Sequence, residues 1–281
     1  MKNISIAIIG SINLDIVARV GEFPQPGETV TNAVVSRFPG GKGANQALAA
    51  NRLGASVYMV GRVGDDPVAE EALRTLRLEG VNLDYCKPLA GHSTGLAMIV
   101  VDDKGENQIV VAPGANAAFD AEHLEVPSTD ASIAQLEVPF ETILKAACTR
   151  DNFFCLNAAP AKPVPHEVLQ HIDLLVVNEI EARTLGAELD SYRGLLATTY
   201  GAKGAVLSRD RIQIAKARPP KVKVVDTTGA GDAFTAALSV ALVAGMEPKA
   251  ALQQACVVGA LATTQMGAQS SPTLLEVQQF K

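Results

Sequence analysis

Ile4-Ser5-Ile6-Ala7-Ile8-Ile9-Gly10 is the stretch that decides the fold. It is a short apolar run closed by glycine, the pattern of a strand buried on both faces. Working outward from it, residues 45–53 are rich in Ala and Leu and are closed by Gly54, which predicts a helix. Residues 57–60 read as a second buried strand, and residues 68–78 as a second helix stopped by Gly80. Strand, helix, strand, helix is the rhythm of a mostly parallel sheet covered by helices.

Two stretches interrupt the rhythm. Residues 12–38 hold extended candidates at 16–20 and 29–35 around Phe23-Pro24-Gln25-Pro26-Gly27. Residues 93–112 hold candidates at 94–101 and 108–112 around Asp102-Asp103-Lys104-Gly105, a hairpin pattern. These strands are expected to form a small second sheet. The α/β rhythm then resumes, with strands predicted at 134–136, 153–156, 173–177, 195–199, 205–207 and 221–225. Helices are predicted at 179–185, 228–244 and 249–263. No repeat, low-complexity tract or linker is present, so residues 1–281 are expected to form one domain.

Composition narrows the function classes. The chain of 281 residues is 48 % hydrophobic and 19 % charged, enough apolar surface for a core. Its net charge is −6 and no basic tract occurs, so nucleic acid is not an expected partner. An anionic ligand must then be met by local devices such as helix N-termini, a metal ion or a few lysines. Cys86, Cys148, Cys155 and Cys256 have neither metal nor redox spacing and read as free thiols, which fits a reducing cytoplasm. Met1-Lys2-Asn3 leads straight into the first strand, too short for a signal sequence. The longest apolar stretch, residues 233–246, is too short to span a bilayer, so no membrane is expected as a partner.

Four motifs carry chemistry. In Asp226-Thr227-Thr228-Gly229-Ala230-Gly231-Asp232-Ala233-Phe234, glycines at a helix start let backbone N–H groups converge. The helix N-terminus adds partial positive charge, which suits a phosphoryl group. Asp232 just inside it can take the proton of an attacking hydroxyl. The same residues would also serve a plain N-cap, with Asp226 or Thr228 as the cap. In Gly40-Gly41-Lys42-Gly43-Ala44-Asn45-Gln46-Ala47, small residues admit a ligand while Lys42 and Asn45 offer polar groups to hydroxyls. In Gly10-Ser11-Ile12-Asn13-Leu14-Asp15, period two puts Asn13 and Asp15 on one face, suited to a vicinal diol. In Asn178-Glu179-Ile180-Glu181-Ala182, an amide and a carboxylate follow a buried strand. They could steer hydrated Mg²⁺ and phosphate, or simply form a capping box.

Together these motifs resemble the ribokinase-like, PfkB-type carbohydrate kinases. The resemblance runs in order through nearly the whole chain and includes Gly64-Asp65-Asp66, Ser93-Thr94-Gly95, Gly114-Ala115-Asn116-Ala117, Gln135-Leu136-Glu137 and Gly267-Ala268-Gln269. It implies a three-layer α/β/α domain with a small β-sheet lid. It implies phosphorylation of a sugar, D-ribose at its primary hydroxyl, by ATP. Related kinases for another sugar or a nucleoside, and a non-catalytic sugar-binding protein on the same fold, are the alternatives.

The resemblance also implies roles. Asn13, Asp15, Gly41, Lys42, Asn45 and Glu137 would hold the sugar, and Asp232 would act as base. Gly229, Ala230 and Gly231 would form the anion hole. Asn178, Thr199, Gly201 and Gly204 would meet the nucleotide, and Glu181 would order the Mg²⁺ waters. A K⁺ ion would sit near Asp226, Thr228, Ala262, Gln265, Gly267 and Ser271. Two lids would pair into a homodimer. The segment between Asn178 and Thr199 is shorter than in relatives, so one sheet face is expected to be thinly covered there. Ala158 stands where relatives carry proline, with little expected consequence.

Overall fold

A computed structural model describes residues 4–280. Met1 to Asn3, read above as leading directly into the first strand, lie outside the described residues. The first strand, β1, spans Ser5–Ile9. Its alternate residues go to opposite faces: Ile6 and Ile8 join one core, Ala7 and Ile9 the other. The apolar run is continuous because both faces are covered.

The chain continues through β2 (Asn13–Arg19), β3 (Val34–Gly40), α1 (Lys42–Arg52), β4 (Ser56–Gly64), α2 (Pro67–Leu78), β5 (Cys86–Leu89), β6 (Gly95–Val101) and β7 (Asn107–Ala112). Then come β8 (Ala131–Gln135), α3 (Phe140–Thr149), β9 (Phe153–Asn157), α4 (His166–Leu169), β10 (Leu174–Asn178), α5 (Glu179–Leu185), α6 (Glu188–Ser191) and β11 (Leu195–Thr199). The last elements are β12 (Ala205–Arg209), β13 (Ile212–Ala217), α7 (Ala230–Val243), α8 (Pro248–Ala262) and α9 (Leu274–Gln279).

The main sheet has nine strands in the order β13-β12-β11-β10-β9-β8-β1-β4-β5. All neighbours are parallel except β11/β12 and β12/β13. Strand order reverses at β1: the chain first builds outward through β4 and β5, then on the other side from β8. The crevice between β1 and β8 is therefore the topological switch point, where open α/β sheets bind ligands. The second sheet has the order β3-β2-β6-β7, so both inserted stretches do combine into one small sheet. It is fastened to the main body by Asp66, which caps α2 through Ala69 N–H (3.1 Å) and accepts from both Thr94 N–H (2.8 Å) and Thr94 Oγ1 (2.7 Å) at the root of β6.

The helices are shared unequally between the faces. One core packs α1, α2, α7 and α8 against the sheet. The other relies on α3 and on the short α4, α5 and α6. The segment after Asn178 is indeed brief: α5 has 7 residues and α6 only 4. It is nonetheless sealed. Leu185 and Tyr192 are buried, and Tyr192 Oη donates to the carbonyls of Ile172 (3.2 Å) and Leu195 (3.1 Å).

Several expectations are corrected. Residues 221–225 are not a strand. The last strand is β13, and Pro219-Pro220 ends its pairing because proline brings no N–H. Instead Val225 and Asp226 N–H both donate to the Thr263 carbonyl (2.8 and 3.1 Å), tying the segment to the end of α8. The candidate at 29–35 becomes a strand only from Val34, because its partner β2 ends at Arg19, opposite Val34. The first helix starts at Lys42 rather than 45, and the helix expected from 228 starts at Ala230.

Candidate active site

The site forms where β1 and β8 give way to loops at the switch point. Ser11 lies just past β1 and Glu137 just past β8, and Ser11 Oγ donates to Glu137 Oε2 at 2.5 Å. Lys42 N–H donates to the same oxygen at 3.2 Å. The start of α1 can come this close because Gly43 has no side chain: a Cβ there would fall 2.6 Å from the Gly10 carbonyl carbon. Glu137 therefore joins three chain segments, and its other oxygen is left for a ligand.

Asn13 and Asp15 share one face of β2, as their spacing predicts, and both are buried. Asn13 Oδ1 accepts from Asn116 Nδ2 at 2.8 Å. Asn116 itself is locked to the Ile12 backbone, donating to its carbonyl (3.1 Å) and accepting from its N–H (2.9 Å). This fixes the Asn13 amide so that its NH₂ is what it can offer.

Asp232 is 6 % exposed, on the first turn of α7. Asn45 Nδ2 donates to its Oδ2 at 2.9 Å, and Gln46 Nε2 to its Oδ1 at 3.0 Å. Asn45 Oδ1 is buried without a partner, an acceptor waiting for a hydroxyl.

Asp15, Glu137, Asp232 and Glu181 gather their charge around Lys42. Burial would lower the Lys42 pKa, but Asp232, Glu137, Glu181 and Asp15 together outweigh it and raise it. Asp15 is pushed up to about 7 by burial first and by Glu137 and Asp232 next, against the opposing pull of Lys42. Asp232 is also raised by burial, resisted by Lys42 and by the hydrogen bonds from Asn45 and Gln46.

Gly229 is the N-cap of α7, at φ 78°, a backbone that favours glycine. A side chain there would also strike the Ala268 carbonyl. No side chain caps this helix; Ala230 N–H donates to the Thr227 carbonyl at 3.3 Å, and the Gly231 N–H remains for a ligand. The N-cap alternative for Asp226 and Thr228 is thus set aside. Asp226 Oδ1 accepts from Thr228 N–H (2.9 Å) and Thr228 Oγ1 (2.7 Å), and its Oδ2 from Gly267 N–H (2.9 Å). Burial would raise its pKa, yet these hydrogen bonds bring it below the usual carboxylate range. Around it, the Ala262 carbonyl accepts from Ser270 Oγ (2.7 Å), Gln265 is exposed, and Ser271 Oγ is buried without a partner.

Beside Gly231 opens a cavity of about 590 Å³. Thr199, Gly201 and Gly204 line it, as expected. Sequence reasoning missed its apolar wall, formed by Val222, Val224, Phe234, Cys256 and Gly259. Phe234 stood in the quoted motif, but Cys256 and Gly259 on α8 gave no local signal. Asn178 is not part of this wall. It ends β10 in register with Thr199 and forms a full capping box with Glu181. Its Oδ1 accepts from Ile180 and Glu181 N–H (both 2.9 Å), and its N–H and Nδ2 donate to Glu181 Oε2 (2.7 Å) and Oε1 (2.9 Å). Glu181 is buried, with its pKa raised by that burial. Among the described residues no group of three or more His, Cys, Asp or Glu is placed to hold a metal ion directly.

A buried acid at a helix start, with an uncapped helix N-terminus on one side of it and polar side chains for hydroxyls on the other, is the arrangement of a kinase for an alcohol. The chain belongs to the pfkB family of carbohydrate kinases, whose model matches residues 3–274. It is 40 % identical to the ribokinase of Bacillus subtilis (strain 168), with 100 % of this chain and 99 % of that protein covered. The ribokinase of Thermotoga maritima has the same fold, with a TM-score of 0.90 at 32 % identity and 99 % of each chain covered. Arabidopsis thaliana ribokinase, solved with ribose and ATP, superposes with a TM-score of 0.88 at 28 % identity, again over 99 % of each chain. Among the described residues, no helix is long and apolar enough to cross a membrane.

Proposed function

We propose that this sugar kinase transfers the γ-phosphoryl group of ATP to the primary hydroxyl of D-ribose, giving ribose 5-phosphate, and that the whole chain is one catalytic domain. The observation that carries this reading is the position of Asp232, between the polar pocket and the cavity beside Gly231. The sugar lies under the small sheet. Asn13, Asp15, Lys42, Asn45 and Glu137 hold its hydroxyls, with Gly41 admitting it to the backbone. Asp232 accepts the proton as the hydroxyl oxygen attacks phosphorus. The N–H groups at Gly229, Ala230 and Gly231 stabilise the charge that develops on the transferred group. ATP lies along Thr199, Gly201 and Gly204, with its phosphates turned towards Asn178.

Mg²⁺ would be steered by Glu181 through metal-bound water, since this ion gives up its waters reluctantly and neutralises phosphate charge. For K⁺, the orphaned Ser271 Oγ and the ionised Asp226 suit a monovalent cation beside the anion hole. There it would add fixed positive charge near the phosphates. The small sheet leaves Val35, Met98 and Val110 exposed on the face turned away from Asp15, and Val34, Ile109 and Val111 exposed on the Asp15 face, and we infer that a second copy packs against this sheet. Val110→Glu should then halve the mass measured by light scattering; an unchanged mass would remove this interface. Unpaired Cys86, Cys148, Cys155 and Cys256 fit a cytoplasmic location.

Purified protein assayed for ADP release with ribose, deoxyribose, fructose and adenosine tests the substrate. Ribose should give the highest kcat/KM. A clear preference for another member of the panel would replace the substrate and leave the reaction class standing. Ribose binding in calorimetry without ATP binding would instead favour a non-catalytic sugar-binding protein.

A further inference from the structure

Behind Asp232 lies a group of buried side-chain amides that neither ligand touches in the scheme above. Gln46 stands on α1 one residue past Asn45 and is fully buried. Its Nε2 donates to Asp232 Oδ1 at 3.0 Å and to Asn157 Oδ1 at 3.1 Å. Its Oε1 accepts from Gln135 Nε2 at 2.6 Å. Gln135 is the last residue of β8 and Asn157 the last of β9, so both partners stand on the rigid sheet. Asn157 is fixed in turn through Nδ2, which donates to the Val176 carbonyl at 3.3 Å.

A primary amide has two N–H donors and one carbonyl. Here both donors and the carbonyl are engaged. If the Gln46 amide turned over, its oxygen would face both Asp232 Oδ1 and Asn157 Oδ1, and its NH₂ would face the Gln135 donor. Three favourable contacts would become three repulsive ones, in a place where water does not reach to compensate. The amide has one allowed orientation, and that orientation aims a donor at the acid.

We propose that Gln46 is the positioning residue for Asp232, and that Gln135 and Asn157 set the direction in which its amide faces. This rests on Asp232 as the base. With Asn45 on Oδ2 and Gln46 on Oδ1, the carboxylate cannot rotate, and its remaining lone pairs are aimed at one point, the attacking hydroxyl. The two donors also favour the ionised form and so work against burial. No proton passes to Gln46. The proton leaves the sugar hydroxyl as its bond to the γ-phosphorus forms and the bond from that phosphorus to the ADP oxygen breaks, and it stays on Asp232 until product leaves.

Gln46→Glu tests this with little change in shape, because it replaces a donor by an acceptor. Gln135→Glu tests it without touching Asp232, because it removes the donor that holds Gln46 Oε1 and sets an acceptor against it, loosening the aim of the Gln46 amide at Asp232. Single-turnover and steady-state rates with ribose and ATP would be measured from pH 5 to 9, with melting temperature as the folding check. Gln46→Glu is expected to slow the transfer by roughly 10- to 100-fold, less than the ~10²- to 10⁴-fold that loss of the general base itself costs. The KM values for ribose and ATP should move by less than about threefold. The acid limb of the rate should rise by about one pH unit, since a hydrogen bond that favoured the carboxylate is gone. Gln135→Glu should do the same to a smaller extent.

An acid limb left at its wild-type position in a folded Gln46→Glu protein would overturn the proposal, even if the rate fell. Should Gln46→Glu not fold, the Gln135→Glu limb decides by the same criterion. Asp232→Asn, run alongside, separates the two readings. Its failure to lose activity would remove Asp232 as base, whereas an inactive Asp232→Asn with an unmoved Gln46→Glu limb would remove only the role of Gln46.

Discussion

The two sides of Asp232 are built on opposite principles. On the sugar side, recognition is assigned to buried polar side chains that are already wired to one another: Ser11 to Glu137, Asn116 to Asn13, Asn45 to Asp232. On the nucleotide side, the cavity wall is mostly apolar residues and glycine, with Thr199, Thr227, Thr263 and the single lysine Lys221 as its polar side chains and the uncapped start of α7 at Gly231 beside it. A small polyol offers hydroxyls in fixed directions, so a rigid set of donors and acceptors can select it. A nucleotide offers a flat apolar base and a diffuse charge, which a shaped wall and a helix N-terminus can meet with little help from charged side chains. Ligand selectivity should therefore be side-chain chemistry on one side and shape on the other.

The largest expected effect falls on the residue that joins the two sides. Asp232→Asn should cut turnover by ~10²-fold or more while calorimetry still detects both ligands. Retention of more than about a tenth of the rate would be too small a loss for a general base and would break the assignment.

The comparison itself is tested next, by crossing variants. Asn13→Ala should raise the ribose KM by about 10-fold or more through one lost polar contact in a dry pocket. It should leave the ATP KM unchanged. Gly259→Val should do the reverse, because even a Cβ at Gly259 lies 3.2 Å from the Ala230 carbonyl and narrows the cavity beside it. If either variant moves the other ligand's KM equally, the two sides are not independent.

The smallest effect is on stability and shows what the polar side costs. Asp15 has its pKa raised from 3.8 to about 7, so between those values the folded protein binds more protons than the unfolded chain. Stability should then fall as pH rises from about 4 to about 7 and stay reduced above that. Asp15→Asn should accordingly raise the melting temperature at pH 8, with the gain disappearing near pH 4. In the wild type, the ribose KM should climb as pH drops below about 7, since the protonated acid is a poorer acceptor. A stability gain equal at both pH values would mean that the Asp15 charge is not what strains the pocket.

How much of this was legible depended on whether the cause was local. β1, α1 and α2 announced themselves through apolar period and glycine stops. Asn13 with Asp15, and Asn178 with Glu181, are sequence neighbours, and their geometry follows from strand period and helix capping. The helix α3 was overlooked although Phe140, Ile143 and Ala147 repeat at helical spacing after Pro139, so a signal was there. The edge strand β5 carried none: it is four residues long, contains Pro88 and buries little. The expected strand at 221–225 looked apolar and extended, but no neighbour in the sheet offers it a ladder.

The sequence by itself determined the layered α/β fold with its inserted sheet, the two glycine turns and the acid at the start of α7, because each depends on residues a few positions apart. Only the tertiary structure decided which groups that acid would meet. Asn45 reaches Asp232 across 187 positions and Gln46 reaches Asn157 across 111, contacts that leave no periodic trace in the chain. The apolar cavity wall is of the same kind, since it exists only where α7, α8 and the segment after β13 converge. Chain order dictates local geometry, but side-chain hydrogen bonds and cavity walls belong to whatever the fold brings together.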